Sequence, residues 1–372
     1  MHFKITSENL RDAINRVLGV VDRKSSRPIL SNCLFVVEKS QLSIYASDLQ
    51  VSAKFSCHID AIETGSFCLN AKSIYDIARE LPDSVVELKT NSLKNILELS
   101  CKEVKFSLLI VSSEEFPKLT FNEENKNGFT LSTSQILRIV SKTQHAISND
   151  DTRYNLNGIF IQRVNNRLRA VATDGHVLAL IDDGQVNEQS TGLDSGIIIP
   201  RKGVQELRKI ADFYMDQQIK ISVDENSIFI NADDKFWLSI RLIAREYPRY
   251  QAVIPNKTIY SVNIDKLDLL TAVKRIKLLA NEKSNAVKIS LKPGQLRISA
   301  NHPSLGDANE KIEVQYEGKE IDIGFNARYL IDTFSALDGE NIEMEFNNEF
   351  SPVIIKGKQT PEFLGVVMPL RL

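Results

Sequence analysis

The run Ala172-Thr173-Asp174-Gly175-His176-Val177-Leu178-Ala179 places a carboxylate two residues before an imidazole. Such a pair could relay a proton or hold a metal ion. Either chemistry needs a nucleophile or a third ligand, and the neighbouring sequence supplies neither. The five histidines, His2, His58, His145, His176 and His302, form no H-x-x-x-H spacing. Cys33, Cys57, Cys68 and Cys101 form no C-x-x-C pair, and most sit in apolar runs where a thiol serves as a small core residue. There is no P-loop, no G-x-G-x-x-G and no G-x-S-x-G, so neither nucleotide hydrolysis nor hydride transfer is expected. A tight Asp-Gly turn between two apolar strands accounts for the run without catalysis. No catalytic residue, metal or cofactor is expected. A metal-dependent hydrolase using Asp174 and His176 is the alternative that metal analysis would test.

A second unusual segment is Gly365-Val366-Val367-Met368-Pro369-Leu370-Arg371-Leu372, which is apolar to its last residue. Terminal segments are usually frayed and polar. This one should pack into its domain or line an apolar surface groove, where Met and Leu side chains adapt to several partners.

The elements that carry these segments repeat. Three segments share a short alternating strand, polar cap residues and an amphipathic helix, starting at Phe3, Phe129 and Tyr260, at intervals of 126 and 131 residues. A second set repeats in step: Leu69-Asn70-Ala71-Lys72-Ser73-Ile74, Ile199-Pro200-Arg201-Lys202-Gly203-Val204 and Phe325-Asn326-Ala327-Arg328-Tyr329-Leu330. Phe116-Pro117 is echoed by Tyr247-Pro248. Alternating runs such as Gln41-Leu42-Ser43-Ile44-Tyr45 and Val287-Lys288-Ile289-Ser290-Leu291 read as half-buried strands. The expected class is α+β, with three similar domains at 1–125, 126–253 and 254–372, each holding two helices packed on antiparallel sheets.

Composition is that of an ordinary soluble protein: 372 residues, 42% hydrophobic and 25% charged. No run of 18 apolar residues predicts a spanning helix, so no membrane partner is expected. The segment MHFKITSENL lacks a signal peptide's apolar core, which with the unpaired cysteines points to the cytoplasm. Net charge is −2, yet it is segregated. Helical segments 8–24, 70–80, 134–149, 200–212, 265–283 and 326–335 carry 18 Lys and Arg against 11 Asp and Glu, and the remainder carries 28 against 37. Basic helices within an acidic shell suit a polyanion contacted through its phosphates, with no element for reading bases.

The three-fold repeat, ATDGH at 172–176, PRKGV at 200–204 and VVMPLRL at 366–372 resemble the bacterial DNA polymerase III beta subunit family, the sliding clamps. Arg27-Pro28-Ile29-Leu30, Arg153-Tyr154-Asn155-Leu156-Asn157-Gly158 and Tyr247-Pro248-Arg249-Tyr250 extend the likeness over essentially the whole chain. The resemblance implies a head-to-tail homodimer closed into a ring around duplex DNA, bound without sequence preference. Domain 1 of one copy would meet domain 3 of the other through Phe106 on one side and Leu278 and Leu279 on the other. Lys105, Asp307 and Glu310 would flank that contact as ion pairs. It also implies a peptide groove at Leu156, Thr173, Gly175, His176, Val177, Leu178, Pro248, Val253, Val366, Met368, Pro369, Leu370, Arg371 and Leu372. That groove would take short clamp-binding peptides of the DNA polymerase III alpha subunit, the clamp loader, other polymerases and mismatch-repair proteins. Arg23, Lys24, Arg79, Arg153, Tyr154, Arg201 and Lys202 would meet DNA. Val177 and Ala252 stand where the family commonly has arginine, which implies a less basic groove. The function implied is processivity without catalysis, and a monomeric protein-binding scaffold is the further alternative.

Overall fold

The computed structural model describes residues 1–22, 26–91, 93–122, 128–186 and 192–371. Six α-helices lie among them: α1 Ser7–Leu18, α2 Ala71–Glu80, α3 Thr133–Thr143, α4 Arg201–Phe213, α5 Lys266–Lys277 and α6 Ala327–Ala336. All six were expected, but α1, α3 and α5 stop short of their expected ends. Gly19 follows α1, and α3 tightens into a 3-10 turn at Gln144–Ala146 once the Thr143 hydroxyl bonds back to the Ile139 carbonyl at 2.7 Å. The caps are local. Thr6 accepts from the Asn9 amide, Asn70 from Ser73, Asp265 from Asp268 and Asn326 from Arg328, each satisfying an amide that has no partner within its helix. Apolar residues at steps of three and four, Leu10, Ala13, Ile14 and Val17 in α1 and Leu269, Ala272, Val273 and Ile276 in α5, form the buried faces.

The caps correct one repeat alignment. Thr6 and Asp265 hold the same position, so Phe3 corresponds to Val262 and not to Tyr260. The third repeat's strand, Tyr260–Asp265, starts earlier relative to its helix.

Four antiparallel sheets carry the helices. The first runs 60–63, 2–6, 85–91, 96–101, 104–109. The second has eight strands: 129–132, 218–223, 227–232, 236–241, 51–58, 41–47, 32–38, 65–70. Here strands of the central repeat continue into strands of the first, and the junction pairs Phe236 with Phe55, Leu238 with Ala53 and Ile240 with Val51. The third also has eight: 197–200, 158–164, 167–173, 177–185, 360–367, 353–357, 341–346, 260–265. Its junction joins the central repeat to the third and pairs Val177 with Val367, Ala179 with Gly365 and Ile181 with Phe363. The fourth runs 306–313, 295–302, 286–292, 321–326. Strands Val104–Leu109 and Gly306–Glu313 are left as sheet edges, each with a neighbour on one side.

These junctions explain why the described chain gathers into two compact units. One holds 1–133 and 205–242, and the other 134–188, 192–204 and 243–372. Each contains an eight-stranded sheet assembled from two repeats, so the central repeat contributes to both. No helix among the described residues is long and apolar enough to cross a membrane.

Candidate functional site

The Asp174-Gly175 turn links strands Arg167–Thr173 and Val177–Gln185. Asp174 Oδ1 accepts the amides of His176 at 2.8 Å and Val177 at 2.9 Å, and the Thr173 hydroxyl donates to the Val177 carbonyl at 2.7 Å. Gly175 has φ of +92°, a region open to glycine, and an added Cβ would meet Arg153 Nη1 at 3.2 Å. Asp174 is therefore a turn-capping carboxylate. The His176 ring stacks over Tyr329 with centroids 6.2 Å apart. Burial, with the Asp174 carboxylate acting in the same direction, pushes the Tyr329 phenol up to about 12. Among the described residues no cluster of His, Cys, Asp or Glu could hold a metal ion. Burial pushes the Cys68 thiol to about 12 and the Cys57 thiol to about 11, as core thiols require.

The apolar terminal segment packs against this turn. Val177 pairs with Val367 and Leu178 with Val366, the Met368 amide donates to the His176 carbonyl at 2.9 Å, and the Leu370 amide donates to the Gly324 carbonyl at 2.8 Å. The segment thus bridges the turn of the central repeat to strand Ile321–Asn326 of the third. Leu178 and Val366 belong to a buried cluster with Phe160, Val171, Leu180, Ile198 and Tyr250, against which Tyr247, Ile254 and Leu364 pack. Phe160 and Tyr247 stack at 4.7 Å.

The residues assigned to the groove divide into two sets. Leu156, Thr173, Val177, Leu178 and Val366 are buried. Gly175, His176, Pro248, Val253, Met368, Pro369, Leu370 and Arg371 are exposed or half-exposed. Leu372 lies outside the described residues. Tyr329 was missed. The second repeated motif holds the signal for it, because Ser73 and Gly203 occupy the same place in the other repeats and only here is the residue aromatic.

The DNA-facing candidates are more varied. Arg79, at the last turn of α2, is half-exposed beside Glu80 at 4.0 Å, and Tyr154 is exposed. Arg153 reaches Asp150 at 3.5 Å and the Asp174 carbonyl at 3.3 Å. Arg201 donates to the carbonyls of Ile147 and Ser148 at 2.9 and 2.8 Å, so its guanidinium holds that segment in place. Lys202 is half-buried, and Arg23 and Lys24 lie outside the described residues. Of the residues assigned to a chain–chain contact, Lys105, Leu278 and Asp307 are exposed and Phe106 and Leu279 half-buried. Glu310 is half-buried. It is bound within its own chain by Arg275, Nε to Oε2 at 2.9 Å, which holds its carboxyl below the usual range.

Comparison with known proteins gives one answer along the whole length. Family models of the DNA polymerase III beta subunit match residues 1–120 with the N-terminal domain, 130–249 with the central domain and 251–371 with the C-terminal domain. The beta sliding clamp of Pseudomonas putida is 32% identical over 377 residues, covering 100% of both chains. A sliding clamp from Pseudomonas aeruginosa bound to griselimycin superposes with a TM-score of 0.92 at 31% identity, covering 100% of both chains. A sliding clamp from Caulobacter crescentus gives 0.94 at 30% identity with the same coverage.

Proposed function

The chain belongs to the DNA polymerase III beta subunit family, the beta sliding clamps, non-catalytic processivity factors of DNA replication, and from that premise we propose that two copies close head to tail into a ring around duplex DNA. The observation that carries the proposal is the pair of open edges. Inside the chain each repeat joins the next through one strand of each, at 236–241 with 51–58 and at 177–185 with 360–367. Among the described residues, strands Val104–Leu109 and Gly306–Glu313 are the two such strands without a joint. Unpaired edges invite addition of another chain, and a head-to-tail joint that closes gives a ring in place of a fibre.

A ring holds DNA by topology, so individual contacts can stay weak and without register. Arg79, Arg153, Tyr154, Arg201 and Lys202, with Arg23 and Lys24, are the proposed phosphate contacts. The surface around Gly175, His176, Pro248, Val253, Met368, Pro369, Leu370, Arg371 and Leu372, over the buried Leu156, Thr173, Val177, Leu178 and Val366, is the proposed groove for clamp-binding peptides. Its partners would be the polymerase III alpha subunit, the clamp loader, other polymerases and mismatch-repair proteins, in the cytoplasm. Tethering through the groove raises a polymerase's local concentration at the primer end.

The test is retention. Protein placed by a clamp loader on nicked circular DNA should survive a high-salt wash and be lost when the circle is cut. Equal loss from intact and cut circles would overturn the ring.

A further inference from the structure

One hairpin recurs in all three repeats: Ala46 faces Ala53, Ala172 faces Ala179 and Ala300 faces Ala308. Three residues along each strand, on the opposite face of the sheet, Ser43 meets Ser56, Arg169 meets Asp182 and Arg297 meets Lys311. The first pair shares a hydrogen bond at 2.8 Å. The second is a two-pronged ion pair, Nε to Oδ1 and Nη2 to Oδ2, both at 2.7 Å. The third sets two cations against each other, which is destabilising in a sheet. Neither has an ion pair among the described residues. Asp322 lies two strands from Arg297, beyond Ser290, and is taken by Lys288 at 3.2 Å. Ser290, Lys288 and Arg297 hold its carboxyl below the usual range against the effect of burial. The third repeat thus lacks the anion that the central repeat supplies for itself.

Arg297 and Lys288, from the two inner strands of this sheet, line a hollow of about 970 Å³. Leu370 and Arg371 of the apolar tail also line it, as does Phe350. Phe350 is 68% exposed, and its turn is fixed by Asn348 Oδ1, which accepts the amides of Phe350 and Ser351 at 2.9 Å. Lys319 lines the remainder together with Asp307, Glu320 and Glu349. Those carboxylates repel a polyanion such as DNA, while the unpaired cations suit one or two carboxylates carried on a chain.

We propose that this hollow takes the acidic flank of a clamp-binding peptide, a partner segment that leaves the groove past Leu370 and sets a carboxylate between Arg297 and Lys311. The proposal rests on the groove reading above and adds a second contact that selects partners by their flanks. Leu370 and Arg371 belong to both surfaces, so one extended chain can occupy both. From Leu370 through Gly324 and Lys288 to the strand of Arg297 is three strand spacings, about 14 Å, which an extended chain covers in about four residues. The acidic residue should stand about that far outside the motif. An apolar residue of the same flank can pack on Phe350.

Labelled peptides test this by fluorescence polarisation on the full chain. Each carries a Gln/Leu/Phe-containing motif, with Asp-Asp about four residues before or after it, or Ser-Ser at the same place as the control. One acidic placement should bind about fivefold tighter than its serine control and lose that gain at high salt. The double variant Arg297→Ser with Lys311→Ser should abolish the gain and leave the serine peptide's affinity unchanged. Lys72→Ser with Lys319 intact, a charge removed in the first repeat, should keep it. Arg297, Lys311 and Lys72 are exposed, so folding should survive. No gain from either placement overturns the proposal and leaves a second copy of the chain as the source of the anion. A gain that survives the double variant overturns it as well. A single-stranded oligonucleotide that cancels the acidic gain while the serine peptide stays bound would assign the hollow to nucleic acid instead. Failure of the serine peptides to bind at all overturns the groove reading, and this proposal with it.

Discussion

Asp174 gives both turn amides a single oxygen, Oδ1, and His176 stacks over Tyr329. The two residues that looked fit for acid–base work are thus part of a fixed turn that presents His176 beside the tail. Tyr329→Ala removes the stacking partner and should weaken a labelled Gln/Leu/Phe-containing clamp-binding peptide by about 1 kcal/mol, read by fluorescence polarisation. Tyr329→Phe keeps the stack and should lose less. His145 offers a second prediction. Neither of its ring nitrogens has a hydrogen-bond partner among the described residues, and burial pushes its pKa down to about 4, with Asp174 opposing. The unfolded histidine takes its proton near 6.5, so between 6.5 and 4 the unfolded chain binds more protons than the folded one. The stability involved, about 3 kcal/mol at most, is complete above 6.5 and lost as pH falls through 4. Thermal midpoints of His145→Phe should fall less steeply over that window than those of the parent. At this scale the sequence revealed the turn and the apolar tail. It hid the fate of His145, because a lone histidine carries no mark of what covers it.

Helices were legible as elements because capping and amphipathic spacing are local. The charge they carry was not assignable to a side. Lys142 counted among the basic helix residues, yet it is buried and donates to Asp338 Oδ1 at 2.6 Å and to the Ala336 carbonyl. It satisfies a carbonyl at the end of α6, where a cation also suits the helix dipole. Burial works against the charged form of Asp338, but Lys142 holds its carboxyl below the usual range. Arg16 likewise lies over the rings of Phe55, Phe213 and Tyr214, and Arg275 is held by Glu310. Lys142→Ala should therefore lower the thermal midpoint, by the equivalent of about 2 kcal/mol, and leave retention on circular DNA unchanged. Asp265→Ala removes a cap and should cost about 1 kcal/mol of stability by denaturant titration. Strand periodicity marked the strands but not their partners. Nothing in Phe236-Trp237-Leu238 names Ala53 as a neighbour, because that pairing is decided by two repeats meeting.

For the whole molecule, the proposed ring needs only two strand edges to be satisfied by another copy, and both edges end finished sheets. Dilution should therefore halve the mass by light scattering without changing the far-ultraviolet circular dichroism. A loss of dichroism in parallel with mass would mean that the single chain cannot hold its fold. The family and its function were legible because motifs spread along the whole length agreed with one another. The junctions were not, since they are long-range pairings.

Those pairings also bear on synthesis at the ribosome. The sheet of the first unit is complete once Phe236–Arg241 has emerged and met Val51–His58. Strand Val177–Gln185 is made earlier, but its neighbour Thr360–Val367 arrives about 120 residues after Arg241, which is roughly 6 to 25 seconds of translation. Through that interval the nascent chain carries a bare strand rich in valine, leucine and isoleucine, open to the wrong neighbour. The junction beneath the proposed groove is therefore among the last parts to form, and a message cut short before the codons for Thr360–Val367 would leave that strand uncovered.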